Sequence, residues 1–163
     1  MKTPQVYFVF GVSGSGKTTI GKKLAESINI PFYDADDYHP KSNTDKMSSG
    51  QPLNDDDRQP WLEAINTVAT ESLDQHGCVF ACSALKEMYR RTLSQHIADS
   101  TTWIYLKGDY NTILARMQAR EHFMPPKLLQ SQFDTLEEPK DAITLDITDT
   151  IDEMVKSTIN QIL

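Results

Sequence analysis

Val6-Tyr7-Phe8-Val9-Phe10-Gly11-Val12-Ser13-Gly14-Ser15-Gly16-Lys17-Thr18 carries an apolar run straight into a glycine-rich loop that ends in Lys-Thr. A short apolar run bounded by glycine reads as a fully buried strand. Beyond the loop, Ile20, Leu24 and Ile28 recur at i, i+4 and i+8, the buried face of a helix running to about Asn29. The loop matches G-x-x-x-x-G-K-[ST] in full, with the preceding strand and following helix that this motif requires. Its chemistry is that of a phosphate cradle. Glycine lets the backbone curl until successive N–H groups converge on phosphate oxygens, and the helix start adds the positive end of its dipole. Lys17 reaches toward the β- and γ-phosphates of a nucleotide, and the Thr18 hydroxyl can bind Mg²⁺. The nucleotide-binding set is therefore Gly11, Val12, Ser13, Gly14, Ser15, Gly16, Lys17 and Thr18.

Outward from the loop, short apolar runs alternate with helical periodicity. Phe32-Tyr33-Asp34 reads as a second strand, and residues 79–82, 103–106 and 143–147 as three more. Residues 40–57 are polar and turn-rich, with a short helix about 41–49. Pro60 suits the first turn of a long helix whose apolar stripe is Leu62, Ile65, Ala69 and Leu73, with Asp55, Asp56 and Asp57 near its positive end. Further helices are expected over 86–97 and from Asp109 to about 121, and a separate helical flap over 122–138. The last helix opens on the capping box Thr150-x-x-Glu153 and buries Ile151, Met154, Val155, Ile159 and Ile162. The expectation is an α/β, three-layer P-loop kinase fold. It has a roughly five-stranded parallel sheet, helices on both faces and a helical lid.

The length of 163 residues fits a single domain, 1–163, with an acceptor-binding insertion about 38–60 and a lid about 121–139. Lys+Arg number 16 and Asp+Glu 23, a net charge of −7 that argues against a nucleic-acid partner. No apolar run has the length of a membrane span or signal peptide, which predicts a cytoplasmic protein without a membrane partner. Cys78 and Cys82 fall on one face of a strand and read as buried, reduced thiols, a redox pair being the alternative. His76 and His96 lie near helix ends and read as surface residues.

Other P-loop classes need further elements. A GTPase reads its base with N-K-x-D, and the nearest string, Asn43-Thr44-Asp45-Lys46, has the wrong order. Asp74-Gln75-His76-Gly77 mimics D-x-x-G but trails a helix. A motor ATPase ends a strand in acidic residues, whereas this strand ends Ala81-Cys82-Ser83. A small-molecule kinase remains. Its acceptor side is expected in Asp34-Ala35-Asp36-Asp37-Tyr38-His39, where a carboxylate can orient or deprotonate the attacking hydroxyl. Arg116 and Arg120 share one helical face leading into the flap and can deliver cations to the phosphates. Arg58, Lys86 and Arg90 are candidates for an anionic acceptor. These five cations, with Lys17, are expected to build one positive cleft on an acidic surface.

Four strings beyond the cradle carry a specific resemblance. They are the Asp36/His39 segment; Lys46-Met47-x-x-Gly50-x-Pro52-Leu53-Asn54-Asp55-x-Asp57-Arg58-x-Pro60-Trp61-Leu62; Cys82-Ser83-Ala84-Leu85-Lys86-x-x-Tyr89-Arg90; and His122-Phe123 with Leu129-x-x-Gln132-Phe133-x-Thr135-Leu136-x-x-Pro139. Together they make the chain resemble the short bacterial-type gluconokinases over nearly its whole length. The resemblance implies ATP and Mg²⁺ as cofactors, D-gluconate as substrate and transfer to its 6-hydroxyl, giving 6-phospho-D-gluconate and ADP. It also implies a nucleoside-kinase-like fold with a mobile lid, often as a homodimer. Residue by residue, it makes Lys17, Asp36 and Arg120 catalytic and Thr18 the metal contact. Asp36, His39, Arg58, Lys86, Arg90 and Gln132 would bind the acceptor, and Arg116 and Arg120 the nucleotide. Three positions depart from the family pattern: Ala35 replaces a glycine, the turn at Arg120-Glu121-His122 is one residue shorter, and Ser94 replaces an arginine. The alternatives are another small hydroxy-acid kinase of shikimate-kinase type, against which the lack of a Gly-Gly-Gly loop counts, and a non-catalytic nucleotide switch.

Overall fold

The computed structural model describes residues 3–119 and 126–163. Strand β1 (Gln5–Phe10) lies at the centre of a five-stranded sheet completed by β2 (Phe32–Asp34), β3 (Gly77–Cys82), β4 (Thr101–Lys107) and β5 (Ile143–Asp146), in the order β2-β3-β1-β4-β5. Every pairing is parallel. The unbroken apolar run of β1 follows from this position, because both its faces are covered. Val6, Phe8 and Phe10 enter one core with Cys78, Phe80 and Cys82, while Val9 and Val79 enter the other. Stacked rings continue the register across the first face, Phe8 lying 5.7 Å from Phe80 and 4.6 Å from Trp103.

The helices are α1 (Lys17–Ile28), α2 (Lys41–Ser48), α3 (Asp55–Ser72), α4 (Glu87–Leu93), α5 (Tyr110–Gln118), α6 (Pro126–Thr135) and α7 (Ile151–Ile162). Trp61, Leu62, Ile65 and Ala69 of α3, with Tyr89 and Leu93 of α4, cover one face. Residues of α1, α5, α6 and α7 cover the other, among them Ile20, Leu24, Ile113, Leu129 and Met154. That is the expected three-layer α/β arrangement. The chain leaves β1 toward β3 and β2 and later returns past β1 to β4, so connections diverge at the carboxyl ends of the central strands, where open α/β sheets bind ligands.

Several expectations shift in detail. Helix α3 starts at Asp55, capped reciprocally by Asn54 and Asp57, which leaves Pro60 inside the helix rather than in its first turn. Pro60 is exposed, so the carbonyl it leaves unpaired can bond to water. Helix α4 ends at Leu93, and His96 beyond it takes a left-handed φ of 68°. In α7, Met154, Val155 and Thr158 are buried while Ile151 is exposed. Thr158 is tolerated there because its hydroxyl donates to the Met154 carbonyl at 2.9 Å. Cys78 and Cys82 are free and buried, and burial pushes their thiols up to about 11 and about 12. Among the described residues no helix is long and apolar enough to cross a membrane.

Candidate active site

Gly11, Gly14 and Gly16 all take positive φ, at 155°, 80° and 100°. At Gly14 a side chain would be strained and would also meet Met117 of α5, whose Cγ lies 2.8 Å from an added Cβ. Gly16 is the N-cap of α1 and offers no side-chain cap, so the first N–H groups of the helix stay available for an anion. Lys17 folds back so that its Nζ donates to the Val12 carbonyl at 3.1 Å, and the Thr18 side chain is exposed at the helix start. Ser15 Oγ, in the same loop, is the one buried side-chain polar atom without a hydrogen-bond partner among the described residues.

Two cavities meet at this loop. The first, about 280 Å³, is bounded by the cradle residues Ser13, Gly14, Gly16, Lys17 and Thr18, with Asp34 and Asp36 opposite. The second, about 430 Å³, extends from Ser13, Lys17 and Asp36. Its walls include His39, Met47, Leu53 and Arg58 from the 38–60 insertion, Trp61 just beyond it in α3, Ser83 and Leu85 after β3, and Leu128, Ser131, Gln132 and Thr135 from α6. Ser13, Lys17 and Asp36 belong to both cavities.

Asp36 is held by a tight turn in which its N–H donates to Asp34 Oδ1 at 3.0 Å. Burial raises its carboxyl above the usual carboxylate range; Asp34 adds to the shift and Lys17 opposes it. A carboxylate in that state is a stronger base than one in water. His39 stacks on Trp61 with centroids 4.2 Å apart and planes 13° from parallel. Burial and the neighbouring Arg58 push its imidazole down to about 4, so the ring is neutral at physiological pH. Trp61 in turn donates its indole N–H to the Ala35 carbonyl at 2.7 Å, tying the insertion to the segment that carries Asp36.

Among the sequence-predicted residues, Lys17, Asp36, His39, Arg58 and Gln132 come together around the larger cavity. Gln132 contacts the cradle itself: its Oε1 accepts from the Ser13 N–H at 2.6 Å and its Nε2 donates to Ser13 Oγ at 3.0 Å. Three predicted cations are not brought to either cavity. Lys86 pairs with Asp55 at 3.1 Å, which also accepts from the Tyr89 hydroxyl. Arg90 is buried over the Phe10 ring and donates to the carbonyls of Ala84 at 2.7 Å and Glu137 at 2.8 Å, which makes it a staple between α4 and the chain after α6. Arg116 donates to the Ile147 carbonyl at 2.5 Å. The single positive cleft is therefore not formed from these side chains, because their partners lie elsewhere. Arg120, with the first part of the expected lid, falls outside the described residues. Asn43, buried beside His39, and Trp61 join the site without a mark in the sequence that distinguishes them: a polar residue in a polar segment carries no periodic signal of burial, and a tryptophan beside an apolar stripe reads as core.

A family model described as Shikimate kinase matches residues 13–163. The thermoresistant gluconokinase of Escherichia coli K12 is 41% identical over 163 aligned positions, which span 96% of this chain and 93% of that protein. The chain belongs to the gluconokinase family. The thermosensitive gluconokinase of the same organism is 47% identical, over 89% of this chain and 80% of its own. The crystal structure of a gluconokinase from Sinorhizobium meliloti 1021 superimposes with a TM-score of 0.88 at 39% identity, covering 98% of this chain and 92% of that one. Gluconokinases are ATP-dependent kinases, so membership makes the chain a kinase and removes the non-catalytic switch from consideration.

Proposed function

We propose that this chain transfers the γ-phosphate of ATP to the 6-hydroxyl of D-gluconate, giving 6-phospho-D-gluconate and ADP. The observation that carries this reading is the sharing of Ser13, Lys17 and Asp36 by the two cavities, one built as a phosphate cradle and the other walled by polar and apolar groups suited to a polyhydroxy acid. ATP occupies the first cavity and gluconate the second. At their junction the acceptor oxygen bonds to the γ-phosphorus as the bond to the β,γ-bridging oxygen breaks, and Asp36 orients the hydroxyl and takes its proton. Lys17 and the cradle N–H groups stabilise charge on the transferring group. Arg58 is assigned to the carboxylate of gluconate, and His39 and Gln132 to its hydroxyls. Arg120 and the lid about 121–139 are assigned to closure over the phosphates.

The donor set fits magnesium arriving with the nucleotide rather than resident metal. Thr18 offers an exposed hydroxyl beside the cradle, and no cluster of three or more His, Cys, Asp or Glu is placed to hold an ion among the described residues. Thr18 would hold Mg²⁺, which when bound neutralises phosphate charge. Two buried free thiols suit a reducing, cytoplasmic setting. The test is purified protein with ATP and Mg²⁺ against gluconate, shikimate, glycerate and nucleoside monophosphates. Gluconate is expected to be the preferred acceptor. Clear preference for shikimate would shift the reading to the activity that the matched family model describes, and preference for any other acceptor would overturn both.

A further inference from the structure

Among the described residues, His39 reaches the larger cavity with only one of its ring nitrogens hydrogen-bonded. Nδ1 lies 3.2 Å from Nδ2 of Asn43, and that same Nδ2 donates to the Asp57 backbone carbonyl at 2.8 Å. The amide cannot be turned around, because its oxygen would then face the Asp57 carbonyl, acceptor against acceptor. An amide nitrogen only donates. Nδ1 must therefore accept, and an imidazole that accepts at Nδ1 carries its single proton on Nε2. Asn43 is 2% exposed on a helix that is otherwise polar and solvated, so an amide has been buried where an apolar residue would pack at no polar cost.

From this geometry we infer that Asn43 is a positioning residue. It locks His39 as the Nε2–H tautomer, so that the ring presents a neutral N–H donor to a hydroxyl of the polyhydroxy acid in the acceptor cavity. The inference rests on the proposed gluconate reading for its ligand, but not for the tautomer. Asn43 and Arg58 act in the same direction, both against a protonated ring. Protonating Nδ1 would set donor against donor at Asn43. From α3, Arg58 faces the ring as a cation, and Asp57 turns its carboxylate to Lys46 at 2.6 Å and offers Asn43 only its carbonyl. From α2 the ring meets the amide of Asn43, and from its own side Asp36 and Lys17 line the same cavity. No protein group among the described residues takes the Nε2 proton. Splitting the work this way leaves positive charge to Arg58 and gives His39 a donor that stays neutral at physiological pH.

The first test needs no substrate. In protein labelled with ¹⁵N-histidine, with His39 assigned by its absence in His39→Phe, the wild-type ring is expected to show the Nε2–H pattern and a titration midpoint well below that of free histidine. An Nδ1–H pattern, or a midpoint near that of free histidine, would overturn the inference. The second test is a double-mutant cycle on gluconate KM. Asn43→Leu is expected to raise KM about three- to tenfold, the worth of one hydrogen bond. His39→Phe, which keeps a ring on Trp61, is expected to do the same, and the double variant is expected to add nothing further. Additive effects would mean that Asn43 acts through packing alone and would sink the positioning role. If the wild type fails to phosphorylate gluconate but shows the Nε2–H ring, the gluconate reading falls and the tautomer lock stands; the cycle is then run on the acceptor that the substrate panel identifies.

Discussion

Trp61 joins the fold to the chemistry, and Trp61→Phe tests that joint. The indole is 2% exposed, and its N–H donates to the Ala35 carbonyl, itself in a fully buried residue, at 2.7 Å. Phenylalanine keeps a ring for His39 to stack on but removes the indole N–H, leaving the carbonyl only the Tyr38 N–H of its own short 3-10 turn (Ala35–Tyr38). Losing a hydrogen bond costs about 0.5–1.5 kcal/mol, and the space left by the smaller ring adds roughly 1 kcal/mol. For a domain of this size about 1.5–2.5 kcal/mol corresponds to a fall in Tm of about 3–10 °C. Ala35 sits between Asp34 and Asp36, so the loosened carbonyl also misplaces the proposed base; kcat is expected to fall at least about tenfold, since small displacements of reacting groups cost that much or more. Thermal denaturation and steady-state kinetics read the two effects separately. Trp103→Phe is the control, because Trp103 is half-buried and stacks on Phe8 at 4.6 Å without using its N–H among the described residues. If Trp61→Phe melts no lower than Trp103→Phe, the Trp61–Ala35 bond does not hold the site.

Three further outcomes follow from the same contacts. Asp36→Asn is expected to stabilise the protein at pH 7 while lowering kcat by about 10²- to 10⁴-fold. Burial raises the Asp36 carboxyl in the folded state, so the fold binds that proton more tightly than the unfolded chain does. Stability is therefore lost as pH rises from the ordinary carboxylate value through the raised one. Denaturant titrations should find the gain of Asp36→Asn at neutral pH and none in acid; a variant less stable than wild type at pH 7 contradicts the burial argument. Gly77→Ala should cost about 3 kcal/mol or more, because Gly77 has φ of 81° and an added Cβ would lie 2.0 Å from the Gln5 carbonyl oxygen; the denaturation midpoint measures it. Arg90→Lys should cost about 1–3 kcal/mol, since an ammonium cannot span the Ala84 and Glu137 carbonyls that the guanidinium fork reaches. It should leave gluconate KM little changed, and a large KM effect with intact stability would return Arg90 to the acceptor site.

What could be read from the residues alone is explained by periodicity and local chemistry. The run from Val6 to Phe10, the cradle, and the stripe Ile20, Leu24 and Ile28 declare strand, loop and helix because their signals lie within a few turns of chain. The capping box at Thr150 and Glu153 is legible for the same reason. Pairings across long separations are not. Lys86 is 31 positions from Asp55, and Arg90 is 47 positions from the Glu137 carbonyl it holds. A backbone carbonyl as partner leaves no mark in residue type, so Arg90 and Arg116 look like free cations until the fold places those carbonyls beside them. Asn43 is hidden by the opposite effect: a polar segment gives no contrast by which its one buried residue in α2 could be picked out.

The charge balance shows why the long-range pairings matter for function. A chain of net charge −7 that takes ATP and an aldonate must attract anions locally. Yet among the described residues only Lys17 and Arg58 bring cationic side chains to the two cavities. Two side-chain charges are few for a triphosphate and a carboxylate together. The difference falls to neutral dipoles: the N–H groups of the cradle, the uncapped start of α1, and a histidine kept neutral as a donor. Dipoles fixed by the backbone cost no side-chain ordering when the ligand arrives and are not screened by salt as exposed lysines are. Anion binding here is therefore expected to weaken less with added salt than a cleft of six exposed cations would. A steep salt dependence of the ATP or gluconate KM would mean that the side chains absent from the cavities in this conformation join them during turnover.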